Sequence, residues 1–339
     1  MEKLKKIQKI VKSSRRIAVI CHQNADPDSL CSGFGLSYLL RRIQRKLAVD
    51  LVTPGGVNKA SKSVMNELPI KISVPNSFES FEALFTVDMN TTQQLGDIRE
   101  QVENTSAPII VIDHHAPDPR TRKLAEVLIC DQRASSAAEV VHWISRQFRT
   151  EWSKTAAQAL LTGMVYDSNH FALARPAAFR AAVDLIDAGA DPRRSVAMLR
   201  LPMGESERMA RIKAGQRIQP KIIDGWVIAS SHVSAHQASA ARALIMLGAH
   251  VAVVAGEKEG EIRISLRSTE EFYRGTGVHL GTDIARAVGK VMGGMGGGHA
   301  LASGATGRGE VDKALQLCVT LVEKKLSGEA EKSAESSTS

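Results

Sequence analysis

The sequence predicts an α/β protein: a mostly parallel sheet with helices on both faces, then a smaller α/β domain, with the cleft between them as the place for an active site. Three observations predict this. Short β-branched runs alternate with segments of helical period through the first 190 residues, the pattern of parallel strands joined by crossover helices. A second, shorter alternation follows an Arg-rich stretch. The 339 residues also exceed the roughly 100–200 that one domain usually holds.

The elements follow in order. Leu4, Ile7, Ile10 and Val11 recur at helical spacing among lysines, so the chain should open on an amphipathic helix. The run 17–21 reads as a buried strand, and 29–46 as a helix after a polar turn. Further strands are expected at 48–53, 70–74, 83–87, 108–112 and 127–130, with helices near 135–148, 154–166 and 176–189. Residues 1–190 thus form the first domain. Residues 191–221 read as a connector, helical from Glu205 to Ile218 and ended by Pro220. The second domain, 222–327, comprises a strand at 226–231, a helix at 236–247, strands at 250–255 and 261–266, a helix at 279–292, a glycine-rich stretch at 293–298 and a last helix at 310–326. The small polar residues of 328–339 suggest a disordered tail, and there is no internal repeat.

Composition narrows the function less than its distribution does. Lys and Arg number 44 against 36 acids, a formal net charge of +8. Residues 1–16 hold seven basic residues and one acid, and 175–220 hold nine and five. Between them, 17–174 hold 15 and 17, while 221–339 balance at 13 each. The surplus therefore sits in two segments, where solvated helix faces compete with a nucleic-acid surface. Only 14 aromatics occur, too few for a stripe of stacking rings. No apolar run reaches the ~18 residues of a membrane span, and the first residues lack the apolar core of a secretory signal. Cys21, Cys31, Cys130 and Cys318 form no Cys-x-x-Cys pair, and three of them sit inside apolar runs, which reads as buried thiols in a reducing compartment. The expectation is a soluble, cytoplasmic protein with no membrane partner.

The candidate chemistry lies where strands end. The first strand runs into His22, with Asp26 and Asp28 in the following turn. The run 83–87 ends in Asp88, and 108–112 ends in Asp113, His114 and His115. Ligands of open parallel sheets gather beyond the carboxyl ends of the strands, so these clusters should converge. Asp167 follows a helical segment and could approach from one side. Taken singly, each acid reads as a cap or turn residue, and Asp28 before Ser29 could cap its helix. Together, five carboxylates and two or three imidazoles would repel one another without cations. Hard oxygens mixed with imidazole suit manganese, and magnesium less well. The donors outnumber the places on one octahedral ion, so two ions sharing a carboxylate are expected.

These motifs resemble those of the DHH phosphoesterase superfamily: HQNADPDSLCSG at 22–33, TVDMN at 86–90, IDHHAP at 112–117, and Asp167, in that order. ISLRS at 264–268 and GGMGGGHALASGA at 293–305 resemble the DHH-associated domain of RecJ-like nucleases and of nanoRNases that also act as phosphoadenosine-phosphate phosphatases. The resemblance implies that His22, Asp26 and Asp88 hold one metal, and that Asp28, Asp88, His114 and Asp167 hold the second, with manganese preferred and magnesium or cobalt as substitutes. It implies that Asp113 orients His114, that His115 faces the scissile phosphate, and that a metal-bridging hydroxide attacks without a covalent enzyme intermediate. It places substrate on Arg267, Ser268, Gly296, Gly297, Gly298 and His299. The glycines are no Walker loop, since no Lys-Ser or Lys-Thr follows them. Without the resemblance they read equally as a flexible turn. The remaining histidines, among them His236, read as structural, with His170 the exception because it lies only three residues beyond Asp167.

The substrate reading is a short oligonucleotide or a 3′-phosphorylated nucleotide. The alternative is a RecJ-like exonuclease on longer single-stranded nucleic acid, kept open by the two basic segments. A family II pyrophosphatase would need a lysine-rich motif where SLRS and GGGH stand, and an inactive binding module would have lost a ligand position. A homodimer is compatible with the sequence. Asp26-Pro27-Asp28 departs from the Asp-Gly-Asp usual in bacterial nanoRNases, keeping the spacing of the acids while stiffening the turn.

Overall fold

The computed structural model describes residues 2–200 and 202–336, which divide into two compact units at 201/202. The first contains α1 (Glu2–Ser13), β1 (Arg16–Ile20), α2 (Pro27–Ile43), β2 (Ala48–Val52), α3 (Lys59–Glu67), β3 (Ala83–Val87), α4 (Arg99–Glu103), β4 (Ile109–Asp113), α5 (Pro119–Leu124), β5 (Val127–Cys130), α6 (Ala137–Gln147), α7 (Lys154–Asp167), α8 (Pro176–Asp187) and α9 (Pro192–Leu199). Its five strands are all parallel, in the order β2-β1-β3-β4-β5. Both faces are covered. Ile17 and Val19 of β1 join a core with Leu36, Leu160 and Val141, while Ala18 and Ile20 join one with Phe78, Phe81 and Leu95. That two-sided burial explains why the strands read as continuous apolar runs. The chain leaves β1 toward β2 at one edge and returns to β3 on the other side of β1. The loops after β1 and β3 therefore diverge and leave a crevice at the carboxyl ends.

The second unit contains α10 (Glu205–Gln216), β6 (Gln219–Ile223), β7 (Trp226–His232), α11 (Gln237–Met246), β8 (Val251–Lys258), β9 (Glu261–Ser268), α12 (Glu270–Thr276), a π-turn at Leu280–Ala285, α13 (Arg286–Val291), β10 (Met295–Gly298), β11 (Ala302–Gly307) and α14 (Val311–Ser336). Its sheet is mixed, ordered β10-β11-β9-β8-β7-β6, with only β7 and β8 parallel. Alternate residues Ile262, Ile264 and Leu266 of β9 enter the core beneath α13 and α14. Arg263, Ser265 and Arg267 therefore face the opposite side of the sheet, where α11 packs Ala240, Ala241 and Leu244 against Ala252 and Val254.

Several expectations are corrected. Residues 70–74 form no strand and reach the sheet only through an isolated bridge from Ser73 to Val52, because Pro69 and Pro75 flank them and neither can donate to a ladder. Residues 191–221 are not one connector: α9 packs on α7 and α3 of the first unit, and α10 on α11 of the second. The backbone of α14 is helical to Ser336. Of the expected disordered tail, residues 337–339 and the side chains from 329 lie outside the described residues. The glycine-rich stretch is neither a turn nor a loop at its centre, since Met295–Gly298 is an edge strand paired with β11.

Those glycines divide by face. A Cβ on Gly296 would stand 1.8 Å from the carbonyl oxygen of Ala285, and one on Gly289 of α13 would meet Met295 and Gly296. Helix and strand thus touch backbone to backbone. A Cβ on Gly297 would meet nothing within 4 Å. Gly296→Ala is expected to destabilise the chain by about 1–3 kcal/mol through overpacking, and Gly297→Ala to stay within about 0.5 kcal/mol of wild type. Denaturant unfolding of the full-length variants checks this contrast.

Candidate metal centre

The eight predicted residues of the first unit converge on the carboxyl ends of β1, β3 and β4. Asp26 caps α2, accepting the Ser29 N–H at 3.0 Å ahead of Pro27 at the first helical position, the arrangement that favours a helix start. Asp28 is not the cap. Its fully buried carboxylate accepts the N–H groups of Ala137 and Ala138 at 2.6 and 3.1 Å, the first turn of α6, where backbone donors and the helix dipole favour an anion. Gly163 of α7 makes the space, since a Cβ there would lie 2.8 Å from Asp28 Oδ1. Asp88 follows β3 with φ +56°, an uncommon left-handed conformation for such a residue.

Donor atoms within 4.8 Å of one another form three overlapping groups: Asp88 with Asp113, His114 and His115, and two triads, His22 with Asp26 and Asp88, and Asp28 with His114 and Asp167. Asp88 stands between the triads. Its Oδ2 is 3.9 Å from His22 Nε2, and its Oδ1 is 3.4 Å from His114 Nε2. His114 Nε2 is also 3.2 Å from Asp167 Oδ2. Asp88 Oδ1, Asp113 Oδ2 and His114 Nε2 are buried without a hydrogen-bond partner. Unpartnered groups of this kind cost stability unless something else satisfies them. Imidazole and carboxylate donors left open in this way fit divalent cations.

The two histidines after β4 play different parts. Asp113, fully buried, accepts from the backbone N–H groups of His114 and His115 at 2.6 and 3.0 Å, and from His115 Nδ1 at 3.0 Å. The expectation that Asp113 orients the His114 ring is thereby corrected: the turn after β4 folds the His115 ring back onto it. His115 has a half-exposed side chain and keeps Nε2 uncommitted, whereas the His114 side chain is only 10% exposed. His170, in a left-handed turn after α7, stands outside the donor groups.

The electrostatics record an excess of negative charge. Burial opposes protonation of His22, yet hydrogen bonds to Asp26 and the Gln23 carbonyl, with the charges of Asp26 and Asp88, raise its pKa to about 9. His114 is raised as well, the desolvation of its ring being outweighed by Asp88 and Asp167. Burial, then the charges of Asp88, Asp167 and Asp26, pushes Asp28 well above the usual carboxylate range. Asp167 is raised by its burial and by Asp88 and Asp26 despite His114 beside it. Three imidazoles, His22, His114 and His115, leave five neighbouring carboxylates incompletely neutralised.

In the second unit, Arg267, Ser268, Gly296, Gly297, Gly298 and His299 come together along the β10-β11-β9 edge. Ala302 is the partner of Arg267 across the sheet and accepts the His299 N–H at 2.8 Å. Arg267, half-buried, donates only to the carbonyl of Leu266, and among the described residues no carboxylate pairs with it. Burial lowers its pKa, as expected of a cation without a partner. A pocket of about 480 Å³ adjoins this edge, with His236 on its wall, a residue read from sequence as structural. A concavity of about 880 Å³ between α6 and α8 holds none of the predicted residues, so chemistry rather than size marks the site.

A parallel sheet carrying this donor set at its carboxyl end is the framework of a metal-dependent phosphoesterase. Residues 16–164 match the DHH family N-terminal domain and 227–326 the DHHA1 domain. An uncharacterized protein of Methanocaldococcus jannaschii is 31% identical over 85% of this chain and 86% of its own. A Streptococcus thermophilus protein named as a probable manganese-dependent inorganic pyrophosphatase is 27% identical over 45% of this chain and 48% of its own. The crystal structure of an exopolyphosphatase-related protein from Bacteroides fragilis shares the fold, with a TM-score of 0.63 at 18% identity over 95% and 96% of the two chains. The chain belongs to the DHH family and is a metal-dependent phosphoesterase. Among the described residues no helix is long and apolar enough to cross a membrane.

The raised groups fix the sign of a pH effect. His22 binds its proton more tightly folded than unfolded, so in chelator its contribution is complete below pH 6.5 and is lost as pH rises to about 9. Asp28, also raised, acts in the same direction. Divalent cations compete with those protons. Thermal unfolding should therefore show the gap between manganese-loaded and chelated protein widening from pH 6.5 to 9. A constant gap would mean that these groups bind no metal.

Proposed function

We propose that the chain is a two-metal phosphodiesterase and phosphatase acting on short oligonucleotides, with 3′-phosphoadenosine phosphate or linear dinucleotides among its substrates and manganese as its preferred ion. The observation that carries this reading is the position of Asp88, whose two oxygens face two separate donor groups. One ion would be held by His22, Asp26 and Asp88, and the other by Asp28, Asp88, His114 and Asp167. Bound ions supply a water of lowered pKa and positive charge for the phosphate oxygens.

The chain's own residues do the rest. Asp113 fixes the His115 ring through Nδ1, leaving Nε2 to donate to a phosphate oxygen or to the leaving group. The hydrogen bond from Asp113 raises the His115 pKa, which keeps that proton available. Arg267 clamps a second phosphate, a geometry suited to guanidinium. Gly297, with no folding reason to lack a side chain, lets a ligand approach the backbone closely.

A short substrate is favoured over a long strand because the chain holds only 14 aromatics and residues 221–339 carry no surplus of charge; several residues of the basic segments are also positioned by contacts within the chain. Lys3 donates to the Leu128 carbonyl, Lys6 pairs with Glu126, and Arg16 with Asp50. In the second segment, Arg194 pairs with Glu67, Arg211 with Ser239 and Glu207, and Arg217 reaches the His232 carbonyl.

Labelled dinucleotides, 24-mers, phosphoadenosine phosphate, cyclic dinucleotides and pyrophosphate, each assayed with manganese, test the proposal. Dinucleotides should be hydrolysed fastest; preference for 24-mers would establish the RecJ-like exonuclease instead. Asp88→Asn, which keeps a residue tolerant of left-handed backbone, should lower kcat more than about 100-fold with an unchanged circular dichroism spectrum. Arg267→Ala and His299→Ala should act chiefly on KM, and an unchanged KM for a dinucleotide would remove the second unit from substrate binding.

A further inference from the structure

Beside α11, the β9-β11-β10 part of the second unit's sheet is laid out as a trough rather than a single contact point. Gly297, Gly304 and Ser265 are neighbours in register across β10, β11 and β9, so one row of the floor carries nothing larger than a hydroxymethyl group. A Cβ on Gly297 would meet nothing within 4 Å. Arg267 lies on one side of this row and Arg263 on the other, both on the same face of β9. Four residues along a strand separate their Cα atoms by about 13 Å, a span longer than one nucleotide unit.

The Arg263 end is the pocket of about 480 Å³, bounded by His236 and Ala238 at the start of α11, Arg263 and Ser265 of β9, and Gly297 and Thr306. It holds two basic side chains and no acidic one. Arg263 has a carboxylate partner, Glu261 at 2.9 Å, but the pair stands in solvent, with side chains 61% and 45% exposed. Such a pair contributes little, so the guanidinium can exchange it for a bidentate phosphate contact.

We propose that this pocket is a second phosphate subsite in which Arg263 holds a phosphate farther along the oligonucleotide than the one at Arg267. The trough then distinguishes substrates by length, because a dinucleotide reaches Arg267 alone while a trinucleotide reaches both arginines. The inference rests on the oligonucleotide reading above and adds to it the means of length selection.

The test measures kcat/KM for 5′-phosphorylated di- and trinucleotides with wild type, Arg263→Ala and Arg263→Lys. The quantity read is the trinucleotide-to-dinucleotide ratio, which does not depend on how much of a variant is folded. Arg263→Ala should lower that ratio about tenfold, and Arg263→Lys, which keeps the charge and loses the bidentate fork, should fall between. Calorimetric titration of the metal-free full-length chain with the trinucleotide should show weaker binding by Arg263→Ala, independently of turnover. An unchanged ratio, with wild type active on both substrates, overturns the second subsite and leaves the oligonucleotide reading standing. A wild type that neither hydrolyses nor binds either substrate overturns both.

Discussion

Five carboxylates brought together at the end of one sheet are the constraint on which the first unit depends. Their mutual repulsion in a partly buried crevice would favour protonation or separation, and the fold permits neither freely. Asp28 is locked against the first turn of α6, Asp113 against the backbone of the next turn, and Asp88 sits in a left-handed conformation of the sort that persists only where the surroundings over-determine it. The imidazoles of His22 and His114 relieve part of the charge by holding protons more tightly than usual. Divalent cations relieve the rest, and they leave the histidines neutral as ligands.

The topology supplies what local chemistry cannot. Because the connections leave β1 and β3 in opposite directions, three segments distant in sequence open onto one crevice, and α7 brings Asp167 from the side. The same fold separates the two histidines that follow β4. Adjacent in sequence, they differ in burial and in partner: one faces Asp88 and Asp167, the other is held by Asp113 and stays accessible. One dipeptide thus offers both a buried imidazole among carboxylates and an accessible one.

The legible part of the site was the part written at strand ends. His22, Asp88, Asp113, His114 and His115 each terminate an apolar run, so the parallel-sheet pattern alone predicted their convergence. Asp167 ends α7 and was a candidate only as an acid that could approach from one side, with no strand end to place it. What stayed hidden depended on side-chain direction and on partners remote in sequence. That Asp26 and not Asp28 caps α2 stayed hidden because the donors to Asp28 lie more than a hundred residues away, and Asp113 turned to His115 because of the local turn. The glycine strand was missed since glycine has low strand propensity and its demands come from α13. The boundary near 201 was invisible because amphipathic α9 and α10 do not declare which core they join.

Anomalous diffraction from crystals of the manganese-loaded protein shows directly whether Asp88 lies between two ions. Two manganese peaks should flank Asp88, one coordinated by His22 and Asp26 and the other by Asp28, His114 and Asp167. A single peak, or a pair without Asp88 between them, would contradict the two-ion centre.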